Sequence, residues 1–253
     1  MLNKSLDTYL SLCTQVYDLS KPLPPQDAWD FYLSYAQEAD GPILEPMCGS
    51  GRFLLPMLCA GFAIEGFDAS QSMLDALYAK AQEQHLNPNI WHGYLEKLQQ
   101  AKQYSLIFIP SGSFGLIIDL TVVKQALKVI YDHLSENGFF VFETETIHAV
   151  PKELGIWRGS RWQRADGQTI LLSQLAMLEE SVCYSIGKYE LVAANQLIKT
   201  EIEEYKIRLY DDPSLLLDLL HETGFKEVRL LKAFDRSASP GKNDETILYE
   251  CRK

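Results

Sequence analysis

The chain is expected to fold as an α/β protein built on a mostly parallel sheet, with an antiparallel β insertion after the fifth strand. Three observations carry this. The stretch Gly41–Ala69, GPILEPMCGSGRFLLPMLCAGFAIEGFDA, reads as an apolar strand, a glycine-turned loop, a helix and a second strand that closes on Asp68. Alternating strand and helix patterns then continue to Phe139–Glu143, and such alternation means parallel strands with right-handed crossovers. After His148 the rhythm changes to long strand-like stretches without a helical stripe.

Taken in order, Asn3–Leu19 and Gln26–Ala39 place apolar residues at helical spacing, separated by Leu23-Pro24-Pro25, which no helix interior accepts. Two N-terminal helices packed over the first strand are expected. Ile43–Glu45 is a strand, Gly51–Ala60 a helix, Ala63–Asp68 a strand, and Ser70–Gln84 a helix with Ser70 as N-cap and Met73, Leu74, Leu77 and Ala81 as its buried stripe. Asn89–Trp91 is a short strand, while Tyr104–Ile109 (YSLIFI) is apolar throughout, as a central parallel strand buried on both faces should be. Thr121–Leu134 forms the next helix, ended near Asn137-Gly138, and Phe139–Glu143 the fifth strand. Pro151–Asp166 is rich in Gly, Trp and Arg. Thr169–Leu178, Ser181–Ala193 and Gln196–Tyr210 then read as three antiparallel strands. Asp212-Pro213-Ser214 starts a helix over Leu215–Thr223 with Gly224 beyond its end, and Phe225–Leu231 and Glu245–Cys251 are the last strands.

Composition narrows the function. At 253 residues the chain suits one domain with an insertion. It carries 34 acidic against 23 basic residues, a formal charge of -11, and its basic residues are scattered apart from Arg158, Arg161 and Arg164. Nucleic-acid binding by phosphate neutralisation needs a broad basic footprint, so a small-molecule partner is expected instead. No apolar run approaches the ~20 residues that span a bilayer. Met1–Tyr17 places Asp7 and polar residues where a signal peptide has its apolar core, which predicts a cytoplasmic protein with no membrane partner. Five cysteines without a C-x-x-C and five histidines without ligand spacing predict buried thiols and no metal site.

The loop glycines permit close backbone approach, and the helix that follows offers free N–H groups to a nucleotide-like ligand. Asp68 stands where one carboxylate could hold both hydroxyls of a ribose. The motif Glu45-Pro46-Met47-Cys48-Gly49-Ser50-Gly51-Arg52 and, at the right separation, Gly66-Phe67-Asp68-Ala69-Ser70-Gln71-Ser72-Met73-Leu74 resemble those of the class I S-adenosylmethionine-dependent methyltransferases, small-molecule type. The resemblance implies a Rossmann-like class I methyltransferase sheet, helices on both faces and an antiparallel C-terminal strand. It also implies one domain: N-terminal helices (1–40), a cofactor-binding half (41–147), an antiparallel substrate-side insertion (148–210), and a C-terminal helix and strands (211–253). S-adenosyl-L-methionine becomes the expected cofactor and S-adenosyl-L-homocysteine the product.

Family positions assign roles residue by residue. Gly49 and Gly51 make room for the methionine part, with Met47 standing where the motif normally has its first glycine and Arg52 closing the loop. Glu45 faces the ammonium end, Asp68 takes the ribose, and Ala69 and Met73 pack near the adenine. Tyr94 replaces the usual acid at the adenine edge, beside Leu95. Ile109 ends the fourth strand, and Tyr17-Asp18 resembles a pair that closes over the cofactor. The loop Ile109-Pro110-Ser111-Gly112-Ser113-Phe114 faces the methyl group, which marks Ser111 and Phe114 for the acceptor, and it is not the N/D-P-P-Y/F motif of adenine or glutamine amino methylation. Trp157, Arg158, Arg161 and Trp162 suit either a pocket for a carboxylate or aromatic acceptor or an exposed strand with stacked aromatics. His148, after the fifth strand, is a candidate general base, with Glu143 and Glu145 as alternatives.

The expected reaction is in-line methyl transfer to a small-molecule N, O or C acceptor. Two other readings stay open: a non-catalytic cofactor-binding or scaffold protein of the same fold, and a nicotinamide-dependent oxidoreductase. Against the latter, Leu54 stands where its fingerprint needs a third small residue, and Glu45 would oppose a pyrophosphate. The insertion strands offer an edge for a homodimer.

Overall fold

The computed structural model describes residues 8–253. In chain order the elements are α1 (Ser11–Ser20), α2 (Gln26–Glu38), β1 (Ile43–Pro46), α3 (Leu54–Cys59), β2 (Ile64–Asp68), α4 (Gln71–Glu83), β3 (Asn89–His92), β4 (Tyr104–Ile109), α5 (Leu120–His133) and β5 (Leu134–Glu145). There follow β6 (Arg158–Gln163), β7 (Thr169–Glu179), β8 (Val182–Ala193), β9 (Gln196–Arg208), α6 (Ser214–Thr223), β10 (Glu227–Lys232) and β11 (Thr246–Arg252).

The main sheet has the order β10-β11-β5-β4-β1-β2-β3. β1, β2, β3, β4 and β5 pair in parallel, and β11 runs antiparallel to both β5 and β10. Both faces are covered, which explains why β4 needs apolar residues at every position. Ile107 and Ile109 join the core under α5 and α6, while Leu106 and Phe108 join the core under α2, α3 and α4. α5 presents Val123, Ala126, Leu127 and Ile130 to the first of these cores at helical spacing. α4 starts as expected, for Ser70 Oγ accepts a hydrogen bond from the Met73 N–H at 3.2 Å.

Several expectations are corrected. α1 starts at Ser11, Thr8–Leu10 are not helical, and Asn3–Asp7 lie outside the described residues. Of the two N-terminal helices, α2 packs on the sheet, whereas α1 packs against α4 and β8. Its Leu12 and Val16 meet Ile170 and Leu191 of the insertion. α3 is shorter than expected because residues 51–53 are spent on the turn. Asn137-Gly138 falls inside β5, with Asn137 at φ 65°. The insertion is a separate sheet of four antiparallel strands, order β6-β7-β8-β9, where three were expected; the fourth is β6, whose alternation is hidden by exposed polar residues.

Candidate active site

A parallel sheet whose strand order reverses leaves a crevice at the carboxyl ends of the strands flanking the switch. Here β1 sits between β2 and β4, and the chain leaves these strands at Pro46, Asp68 and Ile109. A cavity of about 570 Å³ opens there, within the ~300–1,000 Å³ range of small-molecule sites.

Its floor is the loop after β1. Met47, Gly49 and Gly51 all take the left-handed conformation, at φ 58°, 53° and 82°. The Met47 conformation is the kind that favours glycine, and its side chain lines the cavity while packing on the core. A Cβ built on Gly49 has only Met73 Sδ near it, at 3.9 Å, so the space before this residue is open. Gly51 does not line the cavity. Its missing Cβ would lie 2.7 Å from Leu77 Cγ and 3.1 Å from Leu55 Cγ, so glycine there lets α4 pack, correcting the expectation that it makes room for a ligand.

Two acids stand on this floor. Asp68 Oδ2 accepts the Gly49 N–H and Oδ1 the Ser70 N–H, both at 2.8 Å, which aims the carboxylate and leaves one lone pair on each oxygen. Burial raises its pKa, opposed mainly by these backbone bonds. Glu45 is 2% exposed and lines the cavity, yet its Oε2 has no hydrogen-bond partner among the described residues. Burial pushes its carboxyl well above the ordinary range, opposed mainly by Arg52. Arg52 is held by a hydrogen bond to Ser111 Oγ, and its guanidinium lies 5.7 Å from the Tyr17 ring centroid and 5.4 Å from that of Phe53.

Ala69, Met73, Tyr94 and Leu95 line one flank. Tyr17 lines the roof, held there because its neighbour Asp18 accepts from Ser50 Oγ at 2.6 Å and pairs with Lys80 at 2.8 Å. Asp18 is thus spent on tying α1 to the loop and α4. Ser111 lines the cavity, while Ile109 and Phe114, both fully buried, belong to the core; Phe114 lies 4.6 Å from the Phe142 ring. A role for either at the ligand is therefore replaced by packing.

The acceptor pocket expected around Trp157, Arg158, Arg161 and Trp162 does not form. None of the four lines the cavity. Trp157 is 55% exposed, Arg158 pairs with Glu153 at 2.5 Å, Arg161 is exposed, and Trp162 packs on the α1 contact. These residues sit on or beside the exposed edge strand β6, as the second reading has it, though without the stacking of aromatics that it included among the described residues. His148 lies in a short 3-10 turn, exposed and outside the cavity, so it is replaced as the candidate base. Of its alternatives, Glu143 is buried and accepts from Tyr32 Oη at 2.9 Å and the Ser111 N–H at 2.5 Å, whereas Glu145 lines the cavity.

The insertion reaches the site through β9. Tyr205 lines the cavity and meets Tyr9 edge to face with centroids 5.9 Å apart. Tyr9, Lys21, Ile117 and Ile118 complete the walls. Lys21 was legible as the i+4 neighbour of Tyr17. Tyr205 was not, since alternation places it on one face of a strand without saying what that face meets.

The floor acids, the glycine turn and the seven-stranded order are those expected of class I S-adenosylmethionine-dependent methyltransferases, and residues 43–138 match the methyltransferase domain family. A protein of Geobacillus sp. (strain WCH70), provisionally named a methyltransferase, is 23% identical over 94% of this chain and 96% of its own. An S-adenosylmethionine-dependent methyltransferase from Clostridium acetobutylicum ATCC 824 shares the fold with TM-score 0.77 and 20% identity over 94% of this chain and 96% of that one. The sugar N-methyltransferase KedS8 from Streptoalloteichus sp. ATCC 53650 does so with TM-score 0.75 and 14% identity over 100% and 99%. No helix among the described residues is long and apolar enough to cross a membrane.

Proposed function

We propose that the cavity binds S-adenosylmethionine and a small-molecule acceptor side by side and transfers the methyl group between them. The observation that carries this is Glu45. A carboxylate buried to this degree without a partner for Oε2 costs stability unless a cation meets it, and an α-ammonium is such a cation. Asp68, with one open lone pair on each oxygen, suits a vicinal diol. Met73, Tyr94 and Leu95 supply an apolar flank for a flat base. The same floor disfavours a nicotinamide cofactor, because its pyrophosphate would be placed against Glu45.

The cofactor supplies a methyl group on a sulfonium, whose sulfur leaves neutral and needs no acid. What the protein contributes is alignment and exclusion of water. Arg52, pinned to Ser111, keeps positive charge beside Glu45 on the cavity floor. Tyr9, Tyr17 and Tyr205 wall the acceptor side with large side chains. A formal charge of -11 and the likeness to a sugar N-methyltransferase support a small metabolite, with nitrogen as the acceptor atom, over a nucleic acid.

Titration calorimetry with S-adenosylmethionine and S-adenosylhomocysteine tests the reading. Asp68→Ala is expected to weaken both by roughly 10–100-fold, the equivalent of about 1.5–3 kcal/mol for hydrogen bonds to a charged group. Unchanged affinity removes the ribose assignment, and no binding by the wild type removes the cofactor reading.

A further inference from the structure

Among the described residues the cavity carries six carboxylates, Glu45, Asp68, Glu96, Asp119, Glu145 and Glu204, against the basic groups of Lys21, Arg52 and Lys206. Most are committed. Asp68 is held by two backbone N–H groups, Asp119 caps α5 by accepting the Thr121 N–H at 2.7 Å, and Glu204 pairs with Lys206 at 3.1 Å. Glu45 belongs to the floor with Arg52, and Glu96 lies beside Tyr94 and Leu95.

Glu145 is different. It is the last residue of β5, half-buried, and its Oε1 lies 3.1 Å from where a Gly112 Cβ in the loop after β4 would stand. No hydrogen bond or ion pair with the described residues engages its carboxylate. The titratable groups that face it are Lys21 from the end of α1, Glu245 before β11, Tyr205 on β9 and Cys183 on β8, with Glu143 on its own strand. Gly112 has φ 66° and no Cβ, which lets the loop pass over the carboxylate without covering it. Ile117 and Ile118 provide apolar wall nearby in the same cavity.

We propose that Glu145 is the acceptor-binding carboxylate of this methyltransferase and that the acceptor is an amine on a small molecule. The proposal rests on the cofactor reading above. A group of this charge in a cavity where acids outnumber bases attracts an ammonium and repels a carboxylate. The step balances on the residues present. The bound ammonium passes one proton to Glu145. The freed nitrogen lone pair forms the N–C bond to the methyl as the C–S bond breaks, and the bonding pair stays on the sulfur. The proton on Glu145 then leaves through the cavity mouth. Burial raises the Glu145 pKa, which narrows the gap that the first transfer must cross.

The test is calorimetry on the protein saturated with S-adenosylhomocysteine. Glucosamine, benzylamine and putrescine are each titrated beside a neutral counterpart: glucose, benzyl alcohol and 1,4-butanediol. At least one amine is expected to bind tenfold or more tightly than its counterpart, and Glu145→Gln is expected to erase that preference while leaving S-adenosylhomocysteine affinity unchanged and Tm no lower. Glu145→Asp, which keeps the charge on a shorter arm, should retain part of it. A panel in which no amine is preferred, or a Gln variant that keeps the preference, overturns the assignment. Loss of S-adenosylhomocysteine binding by the wild type removes the cofactor reading, and this one with it.

Discussion

Glu45 sets the chemistry of the floor at the expense of the ligand-free fold. Its carboxyl is raised by burial, and a carboxyl whose folded pKa exceeds the unfolded value contributes stability that is present below the unfolded pKa and lost as pH rises through the folded one. Glu45→Gln is therefore expected to raise Tm at neutral pH, with the gain shrinking as the unfolded carboxylate range of about pH 4 is approached. The same change is expected to weaken S-adenosylmethionine binding. Thermal unfolding at the two pH values, paired with calorimetry, checks both; a Tm that does not rise at neutral pH argues against an uncompensated buried acid. The acid was legible in the motif, but its orphaned Oε2 was not, because only the packed loop decides which donors reach it. Met47 shows the converse. The sequence marks it as standing where a glycine is usual, and its φ of 58° supplies the backbone reason.

At the scale of elements, spacing was a sound guide wherever one face is buried continuously. α2, α4, α5 and β4 all fall where the pattern puts them to within a residue or so, whereas β5 begins five residues before the expected Phe139. Element ends were less legible, as at α3, where three residues go into the turn before the helix starts. Gly51 belongs to this scale, since its absent Cβ serves the seating of α4 on the loop. Gly51→Ala is expected to cost about 2–4 kcal/mol, combining overpacking against Leu77 with a left-handed φ of 82°. A chain of this size then loses on the order of 10 °C in Tm, readable by circular dichroism. A loss below about 1 kcal/mol would mean that Leu77 moves aside freely.

Across the whole molecule, the insertion sheet holds the start of α1, while Asp18 ties its end to the loop and α4. Glu203 on β9 accepts the Tyr9 N–H at 2.7 Å and the Leu10 N–H at 2.9 Å, and Glu201 accepts the Leu12 N–H at 2.7 Å. One strand thus grips the start of α1 with Glu201 and Glu203 and presents Tyr205 to the cavity. Glu203→Ala strands two N–H groups and is expected to raise amide hydrogen exchange over residues 9–17 by about tenfold or more, from the loss of charge-assisted hydrogen bonds. Cofactor release should quicken in parallel, because Tyr9 and Tyr17 line the cavity. Exchange unchanged over this segment would show that the packing of Leu12 and Val16 suffices to hold α1.

The sequence by itself determined the parallel sheet, its helices, the glycine turn and the acids at the ends of β1 and β2. These follow from local periodicity and from residues close together in the chain, whose spacing is physical information already. Only the tertiary structure decided which distant segments complete the cavity. It moved Trp157, Arg158, Arg161, Trp162 and His148 away from the site, chose Glu145 over Glu143 as the acid that lines it, and brought Lys21 and Tyr205 to it. The reason is that a strand's alternation names two faces without naming their neighbours, and neighbours are chosen by how the two sheets and α1 pack.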